Sequence, residues 1–209
     1  MSSDRHDDRA ADAASVLRAI TEQLVLTNQH SAAQIEGRLD AVINHLEAAR
    51  NLLADADLQP WHRRDDHVQP AQSFAAVSPV RGTRNAVAPP LSLEPGSGSL
   101  PLVGAATFNH AYEGPAGCVH GGWLAAVFDG LLGHAVSRLG PGRSGLTGRL
   151  TVRYRHPAPL HTSLRFDADV TRDRGRMVMA TATCSDPARP SMVFAEAEAM
   201  FVRPRLNLP

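Results

Sequence analysis

The residues best suited to chemistry stand at the head of one apolar segment. His120-Gly121-Gly122 is followed by Trp123-Leu124-Ala125-Ala126-Val127-Phe128 and then by Asp129. Apolar residues continue through Leu131, Leu132, Ala135 and Val136, and Gly140-Pro141 stops the pattern, so Gly121 to Leu139 reads as an enclosed helix. A carboxylate is out of place there. Removed from water, such a group must find a partner or keep its proton, which makes Asp129 a candidate general base or nucleophile. The plainer alternative sets Asp129 on an outward strip of the helix or against an arginine such as Arg149.

Gly121 and Gly122 occupy the first turn, where backbone N–H groups have no partner within the helix and the dipole is positive. A substrate carbonyl could approach these bare residues and receive hydrogen bonds, as in an oxyanion hole. A tight turn into the helix would also use two glycines. Asp129 follows His120 by nine residues, about 13.5 Å along a helix axis and half a turn around it. It therefore cannot serve the N-terminus of its own helix. If both groups act on one carbonyl, a second copy must bring its Asp129 to this Gly121, which predicts a homodimer with paired, shared sites.

The elements that must position these groups come next. Thr147 to Arg155 alternates Leu150, Val152 and Tyr154 with Arg149, Thr151, Arg153 and Arg155, which marks a half-buried strand with Thr147 on the arginine side. Leu102 to Asn109, Ser163 to Thr171, Arg176 to Cys184 and Met192 to Val202 also have strand character. Turn signals at Asp173-Arg174-Gly175 and Asp186-Pro187 join the later ones into an antiparallel sheet. The fold class is α+β, with a sheet curled around one central helix. Upstream, Leu17, Ile20, Leu24, Ile35, Leu39, Ile43, Leu46 and Leu53 recur at helical spacing, giving one long helix or a helical hairpin suited to packing against protein. Pro- and Gly-rich sequence from Gln59 to Pro101 interrupts every periodic pattern and reads as linker plus approach loop. The division is an N-terminal helical extension over 1–58, a linker over 59–75 and a main domain over 76–206.

Composition removes several kinds of chemistry. Among 209 residues, all 21 basic side chains are Arg, which excludes lysine Schiff bases and a phosphate-binding P-loop lysine. The same number of acidic residues leaves no net charge and no basic excess for nucleic acid. Cys118 and Cys184 are too few for a disulfide framework or a Cys-rich zinc site, and the scattered histidines lack ligand spacing, so no metal is expected. Gly140-Pro141-Gly142-Arg143-Ser144-Gly145 fits a dinucleotide-binding pattern but follows a helix and precedes a strand, the reverse of what that turn requires. No signal segment or membrane span is apparent, and a cytoplasmic location is expected.

Tyr112-Glu113-Gly114-Pro115-Ala116-Gly117-Cys118-Val119-His120-Gly121-Gly122, with Asp129, Thr147 and Tyr154-Arg155-His156-Pro157, resembles the hotdog-fold acyl-CoA thioesterases, especially the thioesterase superfamily member 4 and 5 group and its bacterial relatives. The resemblance runs from Phe74 to Val202. It implies hydrolysis of an acyl-CoA thioester without a cofactor, CoA being part of the substrate, in a homodimer that could extend to a dimer of dimers. It implies that the Gly121 amide polarises the carbonyl, that Asp129 of the partner acts as base or nucleophile, that Thr147 positions water or the carboxylate, and that His120 orients the site. Gly122, Arg153, Arg155, Arg176 and Met177 match substrate-contacting positions. Two departures stand out: Gly114 replaces an Asn that some hotdog thioesterases carry, and bulky Trp123 is positioned to narrow the substrate path. Two other readings remain, a non-catalytic acyl-CoA binding module and an enoyl-thioester hydration or dehydration using Asp129 and His134.

Overall fold

The fold was obtained as a computed structural model that describes residues 3–27, 32–54, 75–94, 102–140 and 143–203. The chain runs α1 (Ser3–Leu26), α2 (Ala32–Ala54), β1 (Leu91–Glu94), β2 (Leu102–Thr107), a 3-10 turn (His110–Tyr112), α3 (Gly121–Ser137), β3 (Leu146–Tyr154), β4 (Ser163–Arg174), β5 (Met177–Asp186) and β6 (Arg189–Val202). Six strands form one sheet in the order β1-β2-β4-β5-β6-β3, and every neighbouring pair is antiparallel. The sheet wraps around α3, which is the hotdog fold expected from the sequence.

Alternation along the strands decides which face meets the helix. Leu164, Phe166 and Ala168 of β4 are buried, whereas Arg165 is exposed and pairs with Asp167 on the outer face at 2.7 Å. On β5 and β6, the cross-strand pairs Ala180–Ala199 and Ala182–Ala197 put methyl groups beneath α3, and small residues let the helix approach the sheet closely. Leu124, Val127, Phe128, Leu131, Leu132, Ala135 and Val136 fill the helix side of the core. Phe128 meets Phe166 edge to face at 5.8 Å. Each such buried aromatic contributes about 2–3 kcal/mol of transfer free energy.

Segment 75–90 closes the other flank of α3. A side chain at Gly130 would meet Val80 Cγ1 at 2.8 Å, so the bare backbone allows that approach. β1, which follows it, lies inside the stretch expected to be an approach loop; four residues are too short for alternation to be read. Residues 55–74, most of the expected linker, lie outside the described residues.

The N-terminal periodicity resolves into two helices, with α1 beginning well before Ser15. Along α1, Ala14, Arg18 and Glu22 face the main domain. Ala14 is buried, Arg18 Nη1 donates to Asn85 O at 3.0 Å, and Glu22 Oε2 accepts from Asn109 Nδ2 at 3.0 Å. Glu22 Oε1 also accepts from the His110 N–H at 3.4 Å. The second helix differs from expectation in one position: Val42, not Ile43, joins Ile35, Leu39, Leu46 and Leu53 on the side facing α1. Among the described residues, no helix is long and apolar enough to cross a membrane.

Candidate active site

The N-terminus of α3 is organised by the residue preceding it. His120 takes extended backbone as the N-cap, and its Nδ1 accepts the Gly122 N–H at 3.0 Å. This bond holds the imidazole ring against the first turn with Nδ1 as the acceptor. The His120 carbonyl accepts the Trp123 N–H at 2.9 Å and the Leu124 N–H at 3.4 Å. Gly121 N–H alone in this turn has no acceptor among the described residues. Of the two glycine amides read from the sequence, Gly122 is therefore spent on the cap and Gly121 is left without an acceptor among the described residues.

Tyr154 is the neighbour that makes residue 121 a glycine. Its hydroxyl donates to Gly121 O at 2.8 Å, and a Cβ on Gly121 would stand 3.1 Å from Tyr154 Cζ. The sequence placed Tyr154 only on the inward side of its strand; its bond to the helix N-terminus crosses 33 residues and leaves no local signal. Gly121 and Tyr154 border a cleft of about 370 Å3 that Cys118, Val119, Leu124 and Ala158 also line. Trp123 is absent from that lining. It packs edge to face on Tyr112 at 5.1 Å, so its bulk is spent on the core and not on the cleft beside Gly121.

Side-chain hydrogen bonds shape the loop leading into the helix. Glu113 Oε1 accepts the Gly117 N–H at 2.6 Å, and its Oε2 meets His110 Nδ1 at 2.9 Å; the His110 bond first, and the Gly117 amide second, hold its carboxyl below the usual range. Gly114 lies against the N-cap itself, where a Cβ would come within 2.8 Å of His120 Cα. An Asn at that position would displace His120, which accounts for its absence here.

Asp129 lies two turns along α3, half-buried. Its Oδ1 accepts the Thr147 hydroxyl at 2.7 Å. Arg149, the alternative partner, lies instead 4.0 Å from Glu198. Thr147 and Arg149 do not share a strand face as the alternation suggested. The β3–β6 register shifts between them at Gly148, and the extra residue turns Thr147 to the helix side with Leu150 and Val152. Gly148 lacks the room for a side chain, since a Cβ there would meet Val202 Cγ2 at 3.1 Å.

The expected CoA-contacting residues divide between the two ends of this strand. Arg153 and Arg155 are exposed at the Tyr154 end; Arg155 Nη2 donates to Glu196 Oε2 at 2.8 Å, and Arg153 stands opposite Glu196 in register. Arg176 and Met177 are exposed at the Thr147 end, where Leu146 and Met177 both pair with Val202. There Arg203 forks onto Asp173 at 2.8 and 3.0 Å, and these bonds to Arg203 hold the Asp173 carboxyl down to about 2. Asp129 and His134 are not a pair: five residues apart, they point about 140° away from each other around the helix. Burial first, then Arg81 and Arg138, lower His134 to about 4. Among the described residues, no group of three His, Cys, Asp or Glu side chains could hold a metal ion.

The comparisons with known proteins agree with this architecture. Residues 116–186 match the model of the thioesterase superfamily. The chain is 34% identical over 91 residues to the acyl-coenzyme A thioesterase THEM4 of Xenopus laevis, across 44% of this chain and 40% of that protein. It thus spans about two fifths of the length of this curated relative. A crystal structure of a thioesterase superfamily protein superposes with a TM-score of 0.71 at 26% identity, covering 92% of this chain and 94% of its own. The zebra fish thioesterase superfamily member 2 shares the fold at a TM-score of 0.52 and 17% identity, covering 64% of this chain and 94% of its own.

Proposed function

We propose that this protein is a thioesterase-superfamily enzyme that hydrolyses the thioester bond of an acyl-CoA, at sites shared between two copies. The observation that carries the reading is the division of labour along α3: an unspent Gly121 amide at its head and an Asp129 carboxylate held by Thr147 two turns later. The domain responsible is 76–206, with 1–58 as an appended helical extension and a cytoplasmic setting.

Two features support pairing through β3. It is the last strand of the sheet, with one side unpaired among the described residues, and Leu146 and Tyr154 on it are 70% and 52% exposed. A two-fold axis through Leu150 or Thr151 would set Thr147 opposite the partner's Arg153 or Arg155. Asp129, tied to Thr147, would then approach the partner's Gly121, tied to the partner's Tyr154. The same axis would gather Arg153 and Arg155 of one copy with Arg176 and Met177 of the other, where guanidinium groups suit the phosphates of CoA.

In this site the thioester carbonyl oxygen accepts the Gly121 N–H, and negative charge develops there as the carbonyl is attacked. Asp129 either removes a proton from the attacking water or attacks the carbonyl itself; both routes end in carboxylic acid and CoA thiol at the expense of one water. Thr147 orients the carboxylate, and His120 keeps the Gly122 amide occupied so that Gly121 is presented alone. No cofactor enters the reaction. A panel of acyl-CoA esters assayed by release of free thiol tests the activity; a full-length chain that binds them with no turnover would favour the binding-module reading. Incorporation of 18O into Asp129 during a single turnover in labelled water distinguishes nucleophile from base.

A further inference from the structure

The α1–α2 hairpin carries an apolar face that none of the other described residues covers. A groove of about 910 Å3 runs between the helices, with Leu17, Ile20 and Leu24 on one wall and Leu39, Val42 and Leu46 on the other. Along α2 the groove positions 35, 39, 42, 46, 49 and 53 alternate spacings of four and three, the repeat by which helices pack side chains into one another. The opposite side of α1 is already committed, through Ala14, Arg18 and Glu22, to the main domain. The groove therefore faces away from the body of the protein.

A second pattern on α2 identifies what fills it. Glu36, Ile43 and Arg50 recur every seven residues on one strip beside the groove, each about 10.5 Å from the next. All three are exposed, Ile43 by 52%, and among the described residues neither Glu36 nor Arg50 has an ion-pair partner. The strip is its own complement when reversed. An antiparallel copy sets Ile43 on Ile43, Glu36 on Arg50 and Arg50 on Glu36; a parallel copy sets like charges together. The same antiparallel alignment layers Val42 against Leu46 and Ile35 against Leu53.

We propose that the groove is half of a four-helix core and that the hairpin of a second copy completes it, with the two α2 helices antiparallel. α1 docks beside Asn85 and the residues that follow β2, whereas β3 is the far edge of the sheet, four places from β2. The hairpin contact is thus separate from pairing through β3 and stands whether or not the protein hydrolyses thioesters. Where both contacts form, the assembly is a tetramer.

The test is the solution mass of the full chain, by light scattering or sedimentation, against Glu36→Arg, Arg50→Glu and the two combined. Each single change puts like charges at both symmetry-related contacts and should weaken association about tenfold, so that the mass falls at about tenfold higher protein concentration in a dilution series. The combined exchange restores opposite charges and should restore the mass. Val42→Asp, with helicity checked by circular dichroism, should halve it. Single variants whose mass falls at the same protein concentration as the wild type's, or a combined variant as dissociated as the singles, would overturn the proposal. So would native mass spectrometry showing a fatty acid in the groove while the charge exchanges leave the mass unchanged.

Discussion

Thr147 donates its hydroxyl to Asp129 across 18 residues of sequence, and this 2.7 Å bond depends on a bulge at Gly148. Without the extra residue, Thr147 would point outward with Arg149, and the carboxylate would lose the contact that orients it.

Replacing Asp129 with Asn keeps its shape and removes the base, and should lower kcat/KM for acyl-CoA hydrolysis by about 100- to 10,000-fold. Thr147→Val deletes one hydrogen bond to a charged group and should cost about tenfold, while Thr147→Ser retains most of the rate. Undiminished turnover in the Asn variant would remove Asp129 from the reaction.

Gly121→Ala forces a methyl group against the Tyr154 ring, whose Cζ lies 3.1 Å from that position, and should also abolish turnover. Mixing this variant with Asp129→Asn after dissociation and reassociation tests whether sites are shared. Each mixed pair holds one intact site and one doubly altered site, so activity should return to about one quarter of wild type. Sites built within one chain would give no recovery.

His134 makes stability depend on pH. Its value falls from 6.5 to about 4 because burial disfavours the charged ring. The folded state thus binds that proton less readily than the unfolded chain, with no penalty above pH 6.5 and a growing one as pH falls toward 4. The slope should reach roughly 1 kcal/mol per pH unit at most. His134→Gln should flatten it in denaturant titrations between pH 7 and 4, and parallel slopes would contradict this origin. Asp173 acts in a lower window: its carboxyl, held down to about 2 by Arg203, contributes stability that is lost as pH drops below 3.8.

The two thiols should react at different rates. Burial pushes Cys184 up to about 12, whereas Cys118 is half-buried and lines the cleft beside Gly121. A thiol reagent should modify one cysteine in the native protein and two after denaturation. Modification of Cys118 should also slow hydrolysis by crowding the cleft, and Cys118→Ser should remove that sensitivity.

Helix α3 and the long strands were legible because burial imposes periodicity on local sequence; Leu164, Phe166 and Ala168 against Arg165 and Asp167 give their face away. The capping contact of His120 was not legible, since histidine is not among the usual capping residues and its type gives no such signal. Nor were other features. The bulge at Gly148 leaves the residue order unchanged while exchanging faces, and β1 is too short for any period. Tyr154 reaches Gly121, and Glu22 reaches Asn109, through contacts set by the closed sheet, and no neighbouring residues announce them.

The alanine pairs beneath α3 bear on how such a protein can change over time. With Ala180, Ala182, Ala197 and Ala199 already near the smallest size, the interior offers no spare methylene to trim and no room to add one. New binding preferences must therefore arise at the rim, around Cys118, Tyr154 and the outer edge of β3, where substitutions leave the packing intact. Divergence in what is recognised can then proceed while the architecture stays still.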